Sequence, residues 1–229
     1  MNILKENPLV NEFLAGVLDS WDPEDKATPA LIEQLIAGII VQPKPSTNKI
    51  HDRATTGPSK RTFYRQVHAL AAQMPGTYRQ VFANLHRDSR IAMNPGGVFS
   101  LDEHVIPHSS EEMQGVDYLY STTERGTVLG MSLLAVHYYH KSTEYPVDFG
   151  FYRREQELEK WGKLGEFKEK NELARELFAR ASAMPNSPGT WLMDSYFMTK
   201  ENVKVLKGLK KDYVSRPKRS WKCTYRRQH

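Results

Sequence analysis

The feature that most constrains the fold is the break at Asn94-Pro95-Gly96-Gly97. Proline lacks the amide donor a helix needs, and paired glycines favour turns, so no regular element passes through this tetrapeptide. Before it, apolar residues recur at helical spacing. After it they alternate or run together as in strands. The chain of 229 residues therefore reads as two parts, 1–94 and 95–229. The first is a small all-α domain and the second an α/β sheet domain.

In the first part, Leu9, Phe13, Val17 and Leu18 form a short amphipathic start, ended by Ser20-Trp21-Asp22-Pro23. Thr28-Pro29 opens a helix carrying Ile32, Leu35, Ile36, Ile39 and Ile40, which Pro43 and Pro45 stop near Gln42. Ser46 can cap a second helix to about Ala54. After the turn at Thr55-Thr56-Gly57-Pro58, Ser59 can cap a third to about Gln73. On that third helix Phe63, Val67, Leu70 and Met74 share one face, while Arg61, Tyr64, Arg65 and His68 share the other. Three short helices with a basic, aromatic-bearing face on the third fit a helix-turn-helix as well as a plain helical bundle. Residues 76–92 read as a further helix.

In the second part, strands are expected at 98–106, at 127–139 (nearly all apolar, so buried on both faces) and at 145–152, with Tyr145, Val147, Phe149 and Phe151 on one side. A helix over 167–183, a strand over 191–194, a helix from Thr199 to about Leu209 and a strand from Asp212 to about Arg216 follow. This order suits an RNase H-like mixed sheet flanked by helices, and other mixed folds too.

Charge narrows the function classes. The formal net charge is +5, and residues 204–227 hold ten Lys or Arg against one acid, Asp212. Residues 60–90 are also basic, and 153–176 mix Glu with Lys and Arg. Two basic segments suit a polyanion, although solvated surface explains charge runs equally well. One cysteine, Cys223, excludes an internal disulfide and a cysteine-rich zinc module. No apolar run approaches membrane-spanning length and the N-terminus lacks a secretory pattern, so a cytoplasmic chain is expected. His104 with His108, and His137 with His140, could suggest zinc, but on strands and turns these spacings do not converge as they do on a helix. No Gly-rich phosphate loop and no Gly-x-Ser-x-Gly elbow occurs.

Two acids stand out because each follows a short apolar strand: Asp102 after Phe99-Ser100-Leu101, and Asp194 after Trp191-Leu192-Met193. A carboxylate in such a place is paired, hydrogen-bonded or bound to metal, and pairing with a lysine or capping a turn is the ordinary outcome. Alternation sets Asp102 with Ser100 and His104, and Glu103 with Phe99, Leu101 and Val105, which makes Asp102 the better ligand.

The segment 99–108 (Phe-Ser-Leu-Asp-Glu-His-Val-Ile-Pro-His) resembles the first catalytic block of DDE insertion-sequence transposases. The segments 115–120, 126–130 and 145–149 resemble that family's second and third strands, and 167–178 the helix that precedes its second aspartate. Leu192-Met193-Asp194-Ser195-Tyr196-Phe197, followed by Thr199, Val203 and Leu206, is similar to the second block. The resemblance covers about residues 30–216, with His104 where the family usually has Thr or Ser. It implies an RNase H-like DDE core in which Asp102 and Asp194, on neighbouring strands, share a Mg²⁺ (or Mn²⁺) ion. It also implies two-metal phosphodiester cleavage and strand transfer. The partners implied are double-stranded DNA (element ends and target) and a second subunit, in a bacterial or archaeal cell. The family's third carboxylate, a Glu on a later helix, has no counterpart: the only Glu after Asp194 is Glu201. The expectation is thus a form truncated before that Glu and inactive alone. DNA contacts are expected from Arg61, Tyr64, Arg65, Lys207, Lys210, Lys211, Arg216, Lys218 and Arg219, with Trp221 and Tyr225 interleaved as stacking groups. Two alternatives stay open: a non-catalytic DNA-binding module that occupies element ends or inhibits a full-length enzyme, and a helix-turn-helix regulator with a ligand-sensing sheet domain.

Overall fold

The computed structural model describes residues 31, 34, 35, 47–53, 59–69, 89 and 91–217. The chain divides into two compact units, Met1–Ala92 and Met93–His229.

In the first unit, α1 is Thr47–Arg53 and α2 covers 60–69. Ser59 starts α2: the Thr62 amide points at its hydroxyl (3.4 Å) and the Phe63 amide donates to its carbonyl (2.9 Å). Phe63 is fully buried against Leu31 and Ile50, with Leu35, Tyr64 and Val67 packed around them. Tyr64 corrects one expectation. It lies half-buried at the edge of this cluster, its ring 6.1 Å from that of Phe63, and not on the outward face that Arg61, Arg65 and His68 expose. A position three residues before an apolar one, here Val67, still reaches the core on a helix with 3.6 residues per turn, because the buried stripe is wider than one row. The helix expected before residue 31 lies outside the described residues, as does that over 76–92 except for 89, 91 and 92, which are turn and bend.

The second unit is one six-stranded sheet. Its strands are β1 Val98–Pro107, β2 Asp117–Ser121, β3 Gly126–His140, β4 Thr143–Tyr152, β5 Thr190–Met193 and β6 Asp212–Val214. β1 runs antiparallel to β3 and parallel to β5, and β6 runs parallel to β5. β3 also carries β2 along Gly126–Gly130 and β4 along 132–140. Three helices follow β4: α3 Glu155–Lys160, α4 Lys170–Ser182 and α5 Lys200–Gly208. α4 lays Leu173, Ala174, Leu177, Phe178 and Ala181 on the sheet. The approach is close at Gly150, where a Cβ would stand 2.7 Å from Leu173 Cδ1. Beneath the helix, the Trp191 ring meets Phe99 at 4.9 Å and Phe178 at 4.8 Å.

β4 departs from the expected pattern. A β-bulge shifts the β3–β4 register between Val136 and His137, and one extra residue reverses which face later side chains take. Tyr145 therefore pairs with buried Tyr138, whereas Phe149 and Phe151 pair with Ala135 and Leu133 and are exposed. The expected common face for Tyr145, Val147, Phe149 and Phe151 is thus broken at Val147. β3 is also less uniformly buried than its composition suggested: Leu134, Ala135 and Val136 are covered, but Tyr139 is 51% exposed.

Among the described residues no helix is long and apolar enough to cross a membrane.

A candidate metal-binding carboxylate pair

Along β1, Phe99 and Leu101 are buried while Asp102 and His104 are exposed. Along β5, Trp191 and Met193 are buried and Leu192 is exposed. The parallel ladder pairs Phe99 with Trp191, Ser100 with Leu192 and Leu101 with Met193. The ladder ends there, and an exposed aspartate follows its last pair on each side, Asp102 after Leu101 and Asp194 after Met193.

Each carboxylate is held at one oxygen. Asp194 Oδ1 accepts from the amides of Tyr196 (2.8 Å) and Phe197 (3.2 Å). This fixes the turn after β5 and leaves Oδ2 with no hydrogen bond or ion pair among the described residues. Asp102 Oδ1 accepts from the Glu103 amide at 2.8 Å, and its Oδ2 lies 3.9 Å from His104 Nε2. The two remaining oxygens suit a hard divalent cation that keeps most of its waters. Among the described residues no three His, Cys, Asp or Glu side chains converge on one metal position. The His104 and His137 rings are 6.3 Å apart, and His108 turns to the backbone of Ser110.

Glu103, on the opposite face, is not free. Its Oε1 accepts from Ser132 Oγ and from Lys170 Nζ, both at 2.6 Å. The Lys170 ammonium lies over the rings of Tyr152 (4.9 Å) and Tyr196 (5.8 Å). Burial pushes the Tyr196 hydroxyl pKa up, and the nearby Glu103, Tyr152, Glu169 and Asp194 push it the same way. Asn202 is fully buried. Its Nδ2 donates to the Phe197 carbonyl and to Asn171 Oδ1, both at 2.8 Å. Sequence reading missed Glu103, Lys170 and Asn202 as neighbours of the pair, because contacts between residues 67 apart leave no periodic trace. Asn202 had a weak local signal, three residues after the helix-capping Thr199.

Of the cations expected to meet DNA, Arg61, Arg65, Lys207, Lys210 and Arg216 are exposed and form no ion pair among the described residues. Lys211 is occupied: its Nζ donates to Ser187 Oγ (2.9 Å) and to the Pro188 carbonyl (2.8 Å), and burial pushes its ammonium pKa down. Lys218, Arg219, Trp221 and Tyr225 lie outside the described residues.

No protein-family model matches the chain, and no curated protein matches it significantly. Among solved structures the chain is similar to the piggyBac transposase in a cryo-EM synaptic complex with hairpin DNA, at TM-score 0.45 and 13% identity over 92% of this chain. It spans about half (48%) of that structure's chain, and a likeness so distant assigns no function.

Proposed function

We propose that this chain is part of a DDE-type transposase, an enzyme that cuts and joins DNA, and that Asp102 and Asp194 are two of its metal-binding carboxylates. The observation that carries this reading is the parallel β1–β5 ladder, whose last pair, Leu101 and Met193, is followed on each side by an aspartate; that register continued by one residue would put Asp102 and Asp194 about one strand spacing apart. A bound Mg²⁺ would supply charge neutralisation at the attacked phosphodiester and activation of the attacking oxygen. The chain's own part is to hold two hard oxygen ligands on an exposed face, open to a duplex. The exposed cations Arg61 and Arg65 on α2, and Lys207, Lys210 and Arg216, would neutralise backbone phosphates.

The proposal is tested by Mn²⁺ uptake, followed as loss of the free-ion EPR signal, and by Mn²⁺-dependent nicking of supercoiled plasmid. Weak uptake that disappears in both Asp102→Asn and Asp194→Asn is expected, with little or no strand transfer by the chain alone. Uptake unchanged in the double variant would sink the metal assignment.

A second reading, a DNA-binding module without catalysis, draws on the incomplete ligand set among the described residues. Salt-dependent DNA binding with no nicking under any divalent ion would favour it.

A further inference from the structure

We infer that Lys170 is a positioning residue for the Asp102–Asp194 pair, an inference that rests on the metal-binding reading above. Lys170 is the first residue of α4 and touches both carboxylate-bearing segments. On the β1 side its ammonium bonds Glu103, the residue after Asp102, at 2.6 Å. On the β5 side it lies over the ring of Tyr196, two residues past Asp194. The next residue of α4, Asn171, reaches the same turn through Asn202, which holds the Phe197 carbonyl. One helical turn therefore fixes the backbones that carry both aspartates.

The chemistry suits a tether better than an incidental surface pair. An exposed ion pair is screened and loosely held. This one is three-quarters covered on each side, with Lys170 at 22% and Glu103 at 25% exposure. Ser132 donates to the same Glu103 oxygen, and two aromatic faces enclose the ammonium. Glu103 and Asp102 are adjacent on one strand but point to opposite faces, so fixing the first fixes the backbone orientation of the second. Asp194 is fixed through its own turn, whose Tyr196 and Phe197 amides it accepts. Metal sites depend on such outer groups to hold ligand oxygens in place.

Removing Lys170 alone would confound position with charge, because losing a cation near the pair strengthens its attraction for a divalent ion. The combined variant Glu103→Gln with Lys170→Met removes one charge of each sign, keeps side-chain size and leaves local net charge unaltered. Mn²⁺ uptake measured by EPR on this variant is expected to weaken about tenfold, whereas Lys170→Arg, which keeps the cation, stays within about twofold of the parent chain. The amides of Tyr196 and Phe197 are expected to exchange with solvent faster in the combined variant, a readout that needs no metal. Lys170→Gln, which keeps a donor to Glu103 but loses the cation, is the milder second variant; it is read by amide exchange alone, which should quicken at Tyr196 and Phe197 as in the combined variant. Parent-like uptake in the combined variant with parent-like amide exchange in both variants would overturn the positioning role. If the parent chain takes up no Mn²⁺ that Asp102→Asn abolishes, the metal reading itself fails. Exchange at Tyr196 and Phe197 then decides the tether alone.

Discussion

Leu101 stands beside Met193 as the last pair of the parallel β1–β5 ladder, and the next residue on each strand is an aspartate. The two acids differ in what they do for the fold. Asp194 accepts two backbone amides of its turn, whereas Asp102 accepts one, from its neighbour. Asp194→Ala should therefore cost about 1 kcal/mol through lost acceptors, and Asp194→Asn, which keeps one acceptor oxygen, much less. Asp102→Ala should stay within about 0.5 kcal/mol, as expected for an exposed side chain. Urea unfolding of the three variants measures this, and equal losses for the two alanine variants would contradict the asymmetry.

Gly130 lies where β3 pairs with both Pro107 and Asp117, and a Cβ there would meet the Ile106 carbonyl oxygen at 2.5 Å. Backbone cannot give way as a side-chain tip can, so Gly130→Ala should destabilise by about 2 kcal/mol. Gly126, at the other end of the β2–β3 pairing, has nothing nearer than the Glu124 carbonyl at 3.9 Å. Gly126→Ala should be neutral or slightly stabilising. Thermal melts of the two variants, read side by side, check the contrast.

Local pattern made much of this legible in advance. β1, expected at 98–106, is Val98–Pro107, and its alternation set Asp102 and Glu103 on opposite faces, as the structure does. Thr199 caps α5 through the Asn202 amide at 3.1 Å. Two kinds of feature were hidden. The bulge opposite Val136 changes the face of Phe149 and Phe151 by adding one residue, Val147, to one strand; Pro146 just before it is the one local sign, and it fits an edge strand equally well. α3 is six residues long with one buried apolar side chain, Leu158, too short for a helical period to show. The lysines divide in the same way. Lys207 and Lys211 look alike in a basic run, yet only the fold brings Lys211 to the Ser187–Pro188 loop.

The link between the loop after β1 and α3 predicts a pH dependence. Glu157 is 6% exposed; its carboxylate accepts from Arg153 Nε (2.8 Å) and Nη2 (2.9 Å) and from the Gly115 amide (2.8 Å). Burial alone would push its carboxyl pKa up, but the Arg153 and Gly115 donors outweigh burial and hold it below the ordinary value of 4.5. A folded-state pKa below the unfolded one adds stability that is fully present above about pH 4.5 and is lost as pH falls through the folded value. The melting temperature of the parent chain should thus drop more steeply below that pH than that of Glu157→Gln. At neutral pH Glu157→Leu should cost about 3 kcal/mol, since it takes two acceptors from the partly covered Arg153 guanidinium, which keeps only Glu166 (3.3 Å), and the acceptor from the Gly115 amide. Parallel pH profiles for parent and Glu157→Gln would contradict the sign.

DNA binding, if it runs through phosphate contacts, distinguishes exposed cations from occupied ones. Arg61 and Arg65 are exposed on α2 and cost little to remove from the fold. Replacing both with Ala should flatten the slope of log affinity against log salt by about 1.8 on duplex DNA, roughly 0.9 for each phosphate lost. Lys211→Ala should leave that slope unchanged, because its donors are already committed to Ser187 and Pro188. It should instead lower stability by about 1 kcal/mol as those partly covered oxygens lose their donor. Fluorescence anisotropy titrations across a salt series, paired with urea melts, measure both quantities. A slope change in Lys211→Ala equal to that of a single Arg variant would mean that the lysine leaves its loop to meet the duplex. The Ser187–Pro188 contact would then describe the DNA-free protein alone.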